Sequence, residues 1–398
     1  MNILYSAFIR EDSESKGVLK KAHGQCLTFK KDFDNVYLYV SRQSEAVLYK
    51  VEDKSLKEID TFSYPNFATF DSSGRLRKIR SFFRYNSFLT FLDKIIDLKK
   101  INVLYYRIAH PSNKLFNLAK KRNLIKIIEI PTYPFEKDFK KSLEYNLFWK
   151  KRMEKLKDFA DIIVAISFDN TLNVDKKFVL ISNGIRLEDI KIKRENKNIF
   201  INLISIAVVG RWHGYDRIIR GLHEYYKNNP AKEVYYHCVG EGPELENLKN
   251  LVKELKLEKY VIFHGTKTGE ELDKIVDEAN IAFGSLGLHR IGRGNPLKSR
   301  EYCARGIPFV KSFLDPDFPC SFPFALNIPN DDTPVDIDNV VNWYEDLSKK
   351  HPDYSLEMRK YAEENLSWDA KMKPVIEKIK ELAKERKSKI WSNIPFTL

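Results

Sequence analysis

Residues 284–310 read GSLGLHRIGRGNPLKSREYCARGIPFV. The stretch opens as a loop with Gly284, Gly287, Gly292 and Gly294 and with Arg290 and Arg293, then passes through Asn295-Pro296 into a helical pattern. It closes on Gly306-Ile307-Pro308 before an apolar run that reads as a strand. Asn is a favoured N-cap and Pro a favoured first helical residue, so the spacing predicts a helix that begins at Asn295 and is capped by Gly306. A glycine-rich loop feeding a helix N-terminus aims backbone N–H groups and the positive end of the helix dipole at one place, which favours an anion. Lys298 adds a full charge one turn in, and Glu301 follows at i+3 on the same face. A cation beside a carboxylate suits a ligand bearing both phosphate and hydroxyl groups. In isolation the same residues fit a surface loop with a solvated Lys–Glu pair; the surrounding chain decides for the site.

Outward from this stretch, strand, turn and helix repeat. Ile201–Val209 is a strand, Gly210–Asp216 a turn and Arg217–Asn228 a helix. Val234–Val239 is a strand ending in Gly240-Glu241-Gly242-Pro243, followed by a helix through Leu255; Val261–Phe263, Glu270–Glu278 and Ile281–Phe283 continue the alternation. Such alternation predicts a parallel α/β sheet, and doubly wound sheets bind ligands outside the carboxyl ends of their strands. The first half repeats the scheme, with strands at Asn2–Phe8, Val36–Val40, Ala46–Val51, Val103–Ile108, Ile125–Ile130, Asp161–Ser167 and Phe178–Ile181. Helices are expected at Val18–Lys31, within Leu76–Lys100, at Lys114–Arg122 and roughly Lys137–Lys157, with an irregular stretch running through Gly74. The expected organisation is a domain at 1–183, a second at 184–367, and a closing helix with a basic tail at 368–398.

The 398 residues are enough for two cores. MNILYSAFIRED has no basic region ahead of a long apolar core, so no signal peptide is expected, and nowhere do eighteen apolar residues run together. Cys26, Cys238, Cys303 and Cys320 have no C-x-x-C spacing and read as reduced thiols, which points to the cytosol; the histidines have no metal-ligand spacing. Residues 1–185 hold 34 Lys/Arg against 22 Asp/Glu, while the remainder holds 34 against 33. The positive excess therefore sits in the first half and implies an anionic partner there. The D-x-D matches at Asp32–Asp34, Asp315–Asp317 and Asp336–Asp338 are treated as chance, and no P-loop is present. Arg75–Arg84 with Phe82, Phe83 and Tyr85 reads as a helix whose aromatic residues pack on the sheet and whose basic edge is solvated, rather than as a nucleic-acid face.

VGRWHGYDRII from Val209, VGEGPEL from Val239, VIFHGTKTGEEL from Val261, PLKSREY from Pro296 and ARGIP from Ala304 occur in an order and spacing that resembles retaining glycosyltransferases of family four. EIPTYP at Glu129–Pro134 and ISNGI at Ile181–Ile185 are similar to the first domain and hinge of that family. The resemblance implies a GT-B fold, two Rossmann-like doubly wound domains facing a central cleft. It also implies transfer of a sugar from a nucleotide-sugar donor, often UDP-linked, with retained configuration and neither metal nor cofactor. The implied donor-side residues are Gly210, Arg211, His213, Gly240, Gly242, Gly265, Thr266, Arg293, Asn295, Pro296, Leu297, Lys298 and Glu301, among which Arg211, Lys298 and Glu301 would carry the chemistry. Arg211 and Lys298 would face the diphosphate, Glu301 the ribose, and the Gly265-Thr266 turn the base.

Two positions depart from the family pattern. The first glutamate of the E-x(7)-E motif is Arg293, and the lysine ahead of the glycine after the G-R turn is His213. On the acceptor side Gly17, His110 and Thr132 are nominated; the histidine usual after the EIPTYP strand is absent. The acceptor implied is a glycan or lipid-linked glycan met at the cytoplasmic face of the plasma membrane, with peripheral contact through the basic first domain. Arg75, Arg77, Lys78, Arg80 and Arg84 ahead of Phe88, Phe91 and Leu92 are the expected contact. A second reading is a GT-B-shaped partner subunit without catalysis, favoured by the two departures. A sugar-nucleotide epimerase of similar fold is a third.

Overall fold

In a computed structural model the described residues are 1–10, 16–69, 74–109, 112–120, 123–133, 154–167, 175–194, 199–291 and 297–392. The chain divides into two compact units, Met1–Ser182 with Lys371–Leu398, and Asn183–Ala370.

The first unit contains β1 (Asn2–Arg10), β2 (Asn35–Ser41), β3 (Glu45–Val51), β4 (Leu56–Ser63), β5 (Val103–Arg107), β6 (Ile125–Tyr133), β7 (Ile162–Ser167) and β8 (Phe178–Ile181). They form one sheet in the order β4-β3-β2-β1-β5-β6-β7-β8, parallel from β2 to β8, with β3 and β4 antiparallel at one edge. The central strands are apolar along most of their length because helices cover both faces. Helix Gly74–Leu98 buries Phe88, Leu89, Leu92, Ile95 and Ile96 in a core with Leu4, Leu104 and Ile128. Helix Lys16–Lys30 buries Ala22, Cys26 and Phe29, the last edge-on to Tyr105. On the side covered by helix Lys16–Lys30, Glu129 is fully buried and accepts bonds from Tyr105 Oη at 2.7 Å and Gln25 Nε2 at 2.8 Å, and it pairs with Arg107.

The second unit contains β9 (Ile201–Ile206), β10 (Val234–Val239), β11 (Val261–Gly265), β12 (Ile281–Phe283), β13 (Phe309–Lys311) and β14 (Ala325–Asn327). All are parallel, in the order β11-β10-β9-β12-β13-β14. Counted within the unit this is 3-2-1-4-5-6, the doubly wound order whose switch point lies between the first and fourth strands. Helix Tyr215–Lys227 packs Ile218, Ile219 and Leu222 on one face, while helix Lys298–Arg305 packs Tyr302, Cys303 and Ala304 on the other. Gly306 caps the latter helix in the left-handed region, as its sequence predicts.

Three expectations are corrected. The stretch through Gly74 contains β4 and a short helix, Asn66–Thr69; Lys57, Glu58 and Asp60 hid the strand because an edge strand carries charge on its open side. Phe88 and Leu92 belong to the core, and Arg84 is buried, so these residues form no surface. Phe82 and Phe83 do not pack on the sheet. With Leu76 and Ile79 they are 42% to 63% exposed, and Phe83 lies edge-on to the exposed Phe67 at 4.9 Å. The helical register turns the later aromatic residues inward and leaves the first two turns facing out. The side chains of Arg75, Arg77 and Lys78 lie outside the described residues, as does most of the expected helix at 137–157.

Candidate functional site

The loops leaving β9 and β12 meet at the switch point of the second sheet. After β9, Arg211–His213 forms a single 3-10 turn, and Gly214 follows with φ 62°. The turn is locked onto the β12 loop: Leu286 N–H donates to the His213 carbonyl at 2.8 Å, and Gly287 N–H to the Trp212 carbonyl at 3.2 Å. A Cβ on Gly214 would stand 2.8 Å from the Gly287 nitrogen, so only glycine permits this approach. The β10 loop closes on the same place. Gly240 has φ 124°, a Cβ on it would strike the Ala207 carbonyl oxygen, and its N–H donates to the Gly265 carbonyl at 2.7 Å. Gly242 sits against Val209, whose N–H donates to the Glu241 carbonyl at 2.8 Å.

Around this knot stand the side chains nominated from the sequence. The Arg211 guanidinium is exposed and makes no hydrogen bond or ion pair with the described residues. Lys298, on the first turn of its helix, reaches back to His213 and meets its Nε2. The His213 ring is buried, stacks on Tyr215 with centroids 5.2 Å apart, and accepts at Nδ1 from the Gly210 N–H at 3.1 Å. Burial, reinforced by the neighbouring Lys298, pushes the His213 pKa down to about 3. Burial likewise pushes Lys298 down to about 7, opposed by Glu301 and then by Cys238. Glu301 is exposed one turn on, and Thr266 is exposed beyond Gly265. Leu297 is half-buried with helical backbone ahead of Lys298. Arg293, Asn295 and Pro296, with Gly292 and Gly294, lie outside the described residues, so the expected helix start at Asn295 does too.

Residues that sequence reasoning passed over hold the site together. Arg290 grips Asp216 and also reaches Asp332 at 2.7 Å, so it is engaged within the protein. Arg217 is buried and donates to the carbonyls of Leu286 at 2.7 Å, Thr333 at 2.7 Å and Pro329 at 3.0 Å. Arg300 is buried, forms a two-pronged pair with Asp315 at 3.0 Å, and pairs with Asp317. The remaining D-x-D carboxylates are also placed: Asp32 pairs with Lys380, Asp34 with the N-terminal amine, Asp336 caps helix Ile337–Lys350, and Asp338 lies in the first turn of that helix. The only hint of these arginine roles was a basic residue at the start of a helix or loop, which does not name a partner.

On the acceptor side, Gly17 is exposed in the first turn of helix Lys16–Lys30. His110 and the Thr132 side chain lie outside the described residues. Cys26, Cys238 and Cys303 are buried free thiols, and Cys320 is exposed. Among the described residues no helix is long and apolar enough to cross a membrane.

Residues 186–312 match the family model for glycosyl transferases group 1. No curated protein sequence matches the chain. Among solved structures it is similar to a glycosyltransferase from Rickettsia africae ESF-5, at 11% identity and TM-score 0.63, over 96% of this chain and 98% of that one. It is also similar to HepE of Anabaena in complex with UDP, at 10% identity and TM-score 0.62, over 96% and 100%. A sucrose-phosphate synthase from Thermosynechococcus elongatus gives 12% identity and TM-score 0.60, over 98% and 100%. The fold of the chain is the GT-B fold of these proteins.

Proposed function

We propose how this glycosyltransferase works: it moves a sugar from a nucleotide-sugar donor, UDP-linked, to a glycan or lipid-linked glycan acceptor, with retained configuration and without a metal ion. The observation that carries the reading is the convergence of Arg211, Lys298 and the glycine turns at the switch point of the second sheet, inside the segment that matches glycosyl transferases group 1. Solved relatives support the nucleotide, since HepE has been crystallised with UDP and with UDP-glucose.

The role of each residue follows from charge. As the bond from anomeric carbon to diphosphate breaks, negative charge gathers on the leaving phosphate, and preorganised cations stabilise that state most. The free Arg211 fork suits two phosphate oxygens, and Lys298 supplies a point charge beside it. Glu301, one turn further along the helix, accepts from the ribose hydroxyls. Same-face attack lets the departing phosphate oxygen take the acceptor proton. The test is incubation with a panel of nucleotide sugars, watching for slow donor hydrolysis and for transfer. No hydrolysis and no nucleotide binding with any of them would remove the reading.

The second reading, a partner subunit that binds without transferring, is favoured by two departures, Arg293 in place of a motif glutamate and His213 in place of a motif lysine. It predicts nucleotide binding with no turnover in the same assay. For location we propose the cytoplasm, at the inner membrane face. The exposed Leu76, Ile79, Phe82 and Phe83 on a helix that begins with Arg75, Arg77 and Lys78 support contact with an anionic bilayer.

A further inference from the structure

His213 and Lys298 are 85 positions apart, and the tertiary fold brings their nitrogens together. The ring has no freedom in how it holds its proton. Gly210 N–H donates to Nδ1, so the proton of the neutral imidazole sits on Nε2, the atom facing Lys298. An N–H that faces an amine can donate only to a lone pair, and an ammonium has none. The alternative tautomer would let Nε2 accept from an ammonium, but its Nδ1–H would then confront the Gly210 N–H and leave a buried donor unpaired. A doubly protonated ring is disfavoured by the same burial that holds His213 neutral.

The titratable groups facing Lys298 among the described residues are Glu301 on its own helix, His213 on the loop after β9, and Cys238 at the end of β10. Burial pushes the Cys238 thiol up to about 11, so it carries no charge near neutral pH. Glu301 is exposed and its pull is screened. Nothing in this shell outweighs the loss of water around an ammonium.

We propose that His213 is a positioning residue that holds Lys298 as a neutral amine in the free protein and releases it as an ammonium to the donor diphosphate, so that donor binding takes up a proton. The proposal rests on the donor-binding reading above. In the step, the hydrogen bond from Nε2–H to the amine lone pair breaks, a proton from solvent or buffer adds to that lone pair, and the ammonium donates to a phosphate oxygen. His213 keeps its own proton throughout. Above neutral pH most of the lysine charge is thus presented when phosphate is there to receive it.

The experiment is calorimetric titration of the whole protein with UDP at pH 8 in buffers of differing ionisation enthalpy. At that pH the terminal phosphate of UDP, with a second pKa about 6, is already ionised, so any proton taken up goes to the protein. With Lys298 near 7 in the free protein, uptake of roughly 0.9 proton is expected, and affinity should fall close to tenfold per unit as pH rises from 8 to 9. His213→Gln offers Lys298 a carbonyl acceptor, so uptake should fall by more than half while UDP still binds. Lys298→Arg, which does not deprotonate, should bind UDP with uptake below roughly 0.1 proton, and it serves if the His213 variant does not fold. Wild-type binding with uptake below roughly 0.2 proton, or undiminished uptake in Lys298→Arg, would overturn the proposal and leave donor binding standing. Absence of UDP binding in the wild type would instead remove the donor-binding reading, and this proposal with it.

Discussion

Arg290 holds Asp216 through two parallel N–H···O bonds of 2.8 Å each, and its Nη1 also donates to the Arg211 carbonyl at 3.1 Å. One guanidinium thus fastens the loop after β12 to the turn after β9, the two sides of the switch point. Both partners are mostly shielded, so the pair differs from a solvated surface bridge. Arg290→Ala is expected to weaken UDP binding by about tenfold, because the turn that presents Arg211 loses its brace, at a charged-bond cost of roughly 1.5–3 kcal/mol. A double charge swap, Arg290→Asp with Asp216→Arg, should recover part of the loss. Calorimetric titration of the wild type and both variants checks this; unaltered affinity in Arg290→Ala would separate the brace from the site.

Glu301→Ala should weaken nucleotide binding by about tenfold to a hundredfold, the equivalent of charged hydrogen bonds worth roughly 1.5–3 kcal/mol. The thermal midpoint should barely move, because Glu301 is exposed. A ribose-free analogue, such as pyrophosphate, should bind wild type and variant alike. Equal loss for both ligands would show that Glu301 acts on Lys298 rather than on the ribose.

Arg211→Ala should lower kcat more than it weakens donor binding, since its charge matters most when the diphosphate becomes the leaving group. The guanidinium has no protein partner among the described residues, so its removal leaves no buried charge behind and the fold should persist. Transfer should also continue in excess EDTA. Loss of activity on chelation, restored by magnesium, would contradict the metal-free assignment.

Arg293 stands where the family pattern has a carboxylate. We expect it to serve the donor diphosphate or an acidic group on a sugar, so Arg293→Glu should cost an active enzyme most of its turnover. A gain of transfer in an otherwise silent protein would identify the natural chain as a binding partner instead.

Contact with a membrane should depend on both the basic and the apolar residues at the start of helix Gly74–Leu98. Each basic residue near an acidic bilayer contributes about 1 kcal/mol. Binding to vesicles should rise with anionic lipid and fall with salt, and the double variant Ile79→Ser/Phe82→Ser should release the protein without unfolding it, since both side chains are exposed. Equal recovery on neutral and anionic vesicles would leave the basic residues with a solubility role only.

Local rules made much of this protein legible in its sequence. Alternating apolar runs and helical periodicity located β9 to β13 and their helices, because a strand buried on both faces must be apolar along its length. Gly306 announced its own cap, since a helix end that turns left-handed excludes a side chain at little cost only in glycine. Edge and short elements escaped. β4 carries charge on its open side, and β14 has three residues with no pattern to show. The packing of Phe88 and Leu92 inward, with Phe82 and Phe83 outward, needed the register of the helix on its sheet. The pairings that build the site belong to tertiary structure alone. Arg290 meets Asp216 across 74 positions, and Lys298 meets His213 across 85, only because the strand order sets β12 beside β9. Strand order is decided by which faces the helices bury together, a property of the whole sheet that no local spacing encodes.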